Sequence, residues 1–175
     1  METIAIYRES IIKTYGFVER IGLGLITVDL PSERMGDWGN DLMDLISQSG
    51  RSLLLMIARP VTTATLRLRL LLDDTPPRGT STDLQQAFFN EYQITCQIDQ
   101  AVELVSFQGP HFGDRYGIAA GALKALAVQG VPLLAFACTG ASVYLITPEG
   151  KAGLAREALG QAFMTPESGK GEMEV

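Results

Sequence analysis

The residues with the clearest chemical potential in this 175-residue chain lie at positions 102–120. An apolar run, Val102-Glu103-Leu104-Val105-Ser106-Phe107, gives way to the glycine-rich loop Gln108-Gly109-Pro110-His111-Phe112-Gly113-Asp114-Arg115-Tyr116, and Gly117-Ile118-Ala119-Ala120 then opens a helix. The first backbone N–H groups of a helix have no acceptor within it, and the helix dipole favours negative charge there. A glycine-rich loop feeding such a helix start is a place for a small anionic group such as an amino-acid carboxylate.

A weaker copy of the pattern stands in the first half of the chain. There the apolar run 20–30 leads through Pro31-Ser32-Glu33-Arg34 to Met35-Gly36-Asp37-Trp38-Gly39, and Trp38, Leu42, Leu45 and Ile46 follow at helical spacing. Asp37 reads as the N-cap of that helix and Gly50 as its C-terminal stop.

Other chemistries find little material. One histidine leaves neither a His-based metal site nor an Asp-His-Ser relay. Cys96 and Cys138 lie in apolar contexts without metal-ligand spacing, as buried thiols of a reducing cytosol do. Asp73 and Asp74 sit in a proline-flanked turn, where acidic residues are simply solvated. Gly22-Leu23-Gly24 lies inside a strand and lacks the third glycine of a nucleotide loop. Neither a metal nor a cofactor is expected. A net charge of −6 without a Lys/Arg cluster disfavours nucleic acid and anionic membranes. The apolar runs at 53–58 and 131–137 are too short to span a bilayer, and the N-terminus has no signal-peptide pattern. A cytoplasmic location is expected.

The elements that would position these loops repeat. Strands are expected at 15–19, 20–30, 52–58, 62–72 and 94–98, with helices at 38–49 and, capped by Ser81 or Thr82, at 83–92. The order strand, helix, strand, strand, helix, strand is the split βαβ unit. It begins again with a strand at 101–107, a helix at 116–129, strands at 132–138 and 141–147, and a helix at 151–163. The second unit lacks its last strand. An unpaired edge is a liability, and 15–19 is the natural donor, which would insert the first unit inside the second.

At residues 102–120 and the following Leu123-Lys124-Ala125-Leu126-Ala127-Val128-Gln129-Gly130-Val131-Pro132, the chain resembles the regulatory part of aspartate kinase. Thr14-Tyr15-Gly16-Phe17 is similar to the short strand before the tandem ACT domains of that family. The resemblance extends over 14–163 and is more specific in the second repeat. It implies an α+β fold of two ferredoxin-like (βαββαβ) ACT units in tandem, each an antiparallel sheet with helices on one face. The boundaries would be an N-terminal arm at 1–13, a first unit at 20–98, a second at 14–19 plus 99–163, and a flexible tail at 164–175.

The resemblance also implies which residues would hold an effector. Gly109, His111, Asp114, Tyr116, Gly117 and Ile118 match the effector loop, with Asp114 toward a ligand ammonium and the N–H groups of Tyr116, Gly117 and Ile118 toward its carboxylate. Asp37 and Trp38 occupy the same loop of the first repeat, and Thr139 retains one hydroxyl of the family's Ser-Thr-Ser run. The structural alternatives are that Asp114 only caps the helix and Trp38 only packs on the sheet. The family's polar strand positions fall at Ile57, Ala58 and Arg59, and at Ala137 and Cys138, so both sites are depleted.

The expected protein is therefore non-catalytic, because the kinase domain has no counterpart in the sequence. It would bind a small amino acid at a domain or subunit interface, form a homodimer and modulate a partner. Two alternatives remain: a ligand-free dimerisation or protein-interaction module, and a regulatory subunit or fragment of a kinase.

Overall fold

The computed structural model describes residues 12–48, 50–73 and 96–165. The helix expected at 83–92, its cap and nearly all of the loop before it lie outside the described residues, as do 1–11 and 166–175.

The elements are β1 (Ile12–Lys13), β2 (Phe17–Pro31), a 3-10 turn (Ser32–Arg34), α1 (Met35–Gln48), β3 (Leu53–Pro60), β4 (Thr65–Asp73), β5 (Cys96–Gln108), a second 3-10 turn (Phe112–Asp114), α2 (Ile118–Val128), β6 (Ala135–Cys138), β7 (Ser142–Thr147), α3 (Ala152–Ala162) and β8 (Phe163–Met164). This is an α+β architecture with antiparallel ladders between β2 and β4, β3 and β4, β5 and β7, and β6 and β7. The chain divides into two compact units, Gly22–Val102 and Met1–Ile21 with Glu103–Val175.

The unit Gly22–Val102 has the strand order β3-β4-β2-β5. Its strands alternate as half-buried strands must. Ile26, Val28 and Leu30 of β2 and Leu68, Leu70 and Leu72 of β4 share a core with Trp38, Leu42 and Ile46, spaced four apart on α1. Burying one such side chain is worth about 1.5–3 kcal/mol. Thr27, Asp29, Arg67 and Arg69, the alternate positions, are only partly covered.

The other unit has the order β2-β5-β7-β6. Val105 and Phe107 of β5 and Val143 and Leu145 of β7 face Ile118, Ala122 and Leu126 of α2 and Ala155, Ala158 and Leu159 of α3. Alanines on α3 let the helix sit close to the sheet. Phe107 is the hub: its ring centroid lies 5.3 Å from Phe17, 5.9 Å from Phe112 and 4.8 Å from Phe163. Two short parallel strands, β1 and β8, pair Ile12 with Phe163 and Lys13 with Met164.

Several element boundaries differ from the sequence reading. Residues 15–19 and 20–30 are not two strands: β2 runs unbroken from Phe17, and Gly22 absorbs a left-handed φ of 70° inside it. Of the strand expected at 94–98, the described residues from Cys96 on are one with 101–107, with Ala101 at φ 56° within β5. The strand expected from 62 starts at Thr65, because 61–65 form a turn in which Val61 N–H donates to the Thr65 carbonyl at 2.8 Å. The strand expected from 132 starts at Ala135, three residues past a proline that has no N–H to donate. Ile12–Lys13 and Met164, assigned to an arm and a tail, are paired strand.

Candidate functional site

The loop between β5 and α2 is built on close backbone contacts. At Gly109 an added Cβ would run into the Lys13 carbonyl and the Phe112 ring, so no other residue fits there. His111 takes a left-handed φ of 60°, and its carbonyl accepts the Asp114 N–H at 3.1 Å. Phe112 turns inward, 6% exposed, and pins the loop to Phe107. Asp114 remains exposed, and Tyr116 stands almost wholly in solvent at 98% exposure.

The helix starts later than the sequence suggested. Gly117, at φ 89°, is its N-cap and contributes no side-chain bond, and Ile118 is the first helical residue. Asp114 is thus not the cap, since it closes the 3-10 turn before Arg115. Gly121 N–H donates to the Gly117 carbonyl at 2.8 Å, so the helix ladder begins there. The N–H groups of Ile118, Ala119 and Ala120 have no acceptor within the helix and point outward.

The turn between β6 and β7 approaches this loop: a Cβ on Gly113 would lie 3.2 Å from the Gly140 carbonyl. Thr139 sits in that turn with its hydroxyl already engaged. It donates to the Ser142 carbonyl and accepts from the Ser142 N–H, each at 3.2 Å. Gly109, His111, Asp114, Tyr116, Gly117 and Ile118 therefore form one loop, Thr139 lies in the neighbouring turn, and Asp37 and Trp38 belong to the other unit.

The counterpart loop in that unit is different. Asp37 does not cap α1, because the helix already starts at Met35 and continues directly from the 3-10 turn. Asp37 is exposed in the first turn, where its charge suits the helix dipole. Trp38 is 2% exposed in the core, which leaves no ring face for a ligand.

The sequence reading missed two open grooves beside the turn Tyr15-Gly16-Phe17. One, of about 340 Å³, is lined by Tyr15, Val18, Ser106, Gln108, Ser142 and Tyr144. Its signal was the alternation of Ser106 and Gln108 with Val105 and Phe107, and the ladder register brings Ser106 opposite Tyr144 and Gln108 opposite Ser142. The other, of about 520 Å³, lies by Phe17, Arg156, Glu157 and Gly160, near the Arg156–Glu19 ion pair at 2.8 Å. Also missed was Glu103, 8% exposed, whose Oε2 accepts the Ala152 N–H at 2.7 Å and so holds the start of α3. Among the described residues no group of three or more His, Cys, Asp or Glu side chains could hold a metal, and no helix is long and apolar enough to cross a membrane.

Solved structures with the same arrangement of elements carry one theme. The regulatory subunit of aspartate kinase from Thermus flavus superposes with a TM-score of 0.71 at 15% identity, over 86% of this chain and 98% of that one. The chain has the fold of the aspartate kinase regulatory region. The aspartate kinase of Clostridium acetobutylicum matches with a TM-score of 0.74 at 15% identity, over 89% of this chain but 37% of that one. That of Synechocystis matches at 0.71 and 17% identity, over 97% of this chain and 29% of that one. No protein-family model and no curated protein sequence matches the chain.

Proposed function

We propose that the chain is a regulatory module built of two ACT units, which binds a small amino acid at the β5–α2 loop and modulates a partner enzyme without catalysing a reaction itself. The carrying observation is the near-complete overlap with a kinase regulatory subunit, 98% of whose length is covered. Within each unit the strand order is that of a ferredoxin-like sheet, β3-β4-β2-β5 and β6-β7-β5-β2. At the loop, Gly117 leaves the first N–H groups of α2 free of a side-chain cap, as a ligand carboxylate requires. Asp114, three residues before Gly117 and exposed, is the group for the ligand ammonium. The effector acts by its differential affinity for two arrangements of a homodimer in the cytoplasm.

A second reading, an effector-free dimerisation module, draws on the depletion of polar groups. The Thr139 hydroxyl is consumed by its own turn and the Trp38 ring by the core. A third is a separate subunit of a kinase.

Melting temperature measured against each of the twenty amino acids decides between the first two. A specific effector at about a hundred times its Kd adds about 2.7 kcal/mol and raises Tm by several degrees. Asp114→Ala should abolish that rise. No shift at millimolar concentration favours the second reading, and a shift that survives in the variant moves the ligand elsewhere. Co-purification with a kinase supports the third.

A further inference from the structure

The unit Gly22–Val102 carries a second set of charged groups, away from its helix. Ladder register places Asp29 of β2 opposite Arg67 of β4, and Arg67 opposite Arg59 of β3. Arg69 lies two residues along β4, on the same face as Arg67 because strand side chains repeat every second residue. Three guanidinium groups thus share one patch of sheet in a chain whose net charge is −6.

Only one of the three is neutralised directly. Arg67 makes a fork to Asp29, with Nε and an Nη each 2.6 Å from a carboxylate oxygen. Among the described residues, neither Arg59 nor Arg69 makes an ion pair. Asp99 of β5 acts on Arg69 only through its field and accepts hydrogen bonds from Gln97. The crowding has a cost: burial, then the neighbouring Arg59 and Arg67, destabilise the charged form of Arg69. Like charges directly opposite on a sheet are destabilising. An oxyanion between Arg59 and Arg69 would relieve that cost, and planar guanidinium forks match carboxylate and phosphate geometry.

We propose that Arg59 and Arg69, with Arg67 held in place by Asp29, form a binding site for a small polyanion bearing carboxylate or phosphate groups. The site is distinct from the β5–α2 loop and independent of the amino-acid reading. Calorimetric titration of the full chain with citrate and with pyrophosphate tests it and tells the two oxyanion sources apart. One of the two should bind saturably and weaken as salt is raised. Arg59→Gln and Arg69→Gln, singly and together, should each lower affinity by about tenfold or more, while Lys124→Gln in the other unit leaves it unchanged. Asp29→Asn frees the third guanidinium and removes a repelling charge, so affinity should rise by about fivefold. A merely structural cluster would show no such gain. Absence of saturable binding by either probe at millimolar concentration overturns the site. So does binding that survives the double variant. A dimer that dissociates on Arg59→Gln, with no anion bound, would assign the patch to a second copy of the chain and equally overturn it.

Discussion

The two helix entries, one in each unit, begin from the same sequence device and end as different objects. In both, an apolar strand passes through a short polar loop into a helix. At β5–α2 the chain spends nine residues between strand and helix, turns left-handed at His111 and Gly117, and leaves the helix start uncapped by a side chain. At β2–α1 the strand ends at Pro31 and a 3-10 turn feeds α1 without a gap. Ser32 N–H donates to the Ala64 carbonyl at 2.9 Å, and Met35 N–H to the Ser32 carbonyl. The aromatic residues follow the same division: Trp38 is core and Tyr116 is exposed. A site needs backbone groups left over after folding, and the longer loop ends on a helix start with no side-chain cap.

The largest expected effect tests that division of the aromatics. Trp38→Ala should cost about 3–5 kcal/mol by opening a cavity among Leu42, Ile46 and the β2–β4 leucines. Tyr116→Ala should change stability by less than about 0.5 kcal/mol. Urea denaturation of both variants measures the contrast, and equal costs would erase it.

Glycine chemistry gives the next contrast. Gly109→Ala drives a methyl group into the Lys13 carbonyl and the Phe112 ring and should cost about 2–3 kcal/mol. Gly36→Ala, on α1 with nothing within 4 Å of the new methyl, should stabilise by about 0.5–1 kcal/mol. If both variants lose stability, the β2–α1 entry is as tightly built as its counterpart.

What the sequence revealed of this pair, and what it hid, has one physical origin. Alternation in 65–73 and fourfold spacing at Trp38, Leu42 and Ile46 are local patterns, and they place strand, helix and core face correctly. The breaks assumed at 20 and 99 were wrong because glycine and charged residues punctuate a chain only when nothing pairs beside them. β2 and β5 are neighbours in the strand order, and each runs unbroken through these points, Phe17–Pro31 and Cys96–Gln108. Glu103 passed as one residue of an apolar strand, since only the folded chain shows Ala152 beside it. The alternation of Arg67 and Arg69 with leucines along β4 is legible in the sequence. The partner of Arg67, Asp29, is 38 residues away, and only register joins the two. For the same reason Asp37 reads as a cap in the sequence, and capping stands as the alternative for Asp114: the residue type suits a cap, but where the first helical turn closes is decided by backbone geometry.

Glu103 sharpens the comparison at the other end of its unit, where a helix start is satisfied by a carboxylate from the same chain. Glu103→Ala should cost about 1–2 kcal/mol, because it removes an acceptor from the Ala152 N–H. Glu103→Gln keeps an acceptor and should lose about half as much. If the two variants are equally unstable, the charge matters more than the bond.

The smallest expected effect concerns the ion pair of the opposite unit. The Arg67 hydrogen bond holds the Asp29 carboxyl below its ordinary value of 3.8, more strongly than burial raises it. A carboxyl with a lowered folded-state pKa contributes stability that is complete above the unfolded value. That contribution is lost as pH falls through the folded one. Asp29→Asn should therefore lower Tm by a small, constant amount above about pH 5. The gap should close below pH 3.8 as Asp29 of the parent chain takes up its proton. With side chains 29% and 34% exposed, the pair is screened and worth at most about 1 kcal/mol. A gap that persists unchanged into acid would mean that Asn fails at this position through packing. The bidentate fork would then be a consequence of the strand register and not a contributor to it.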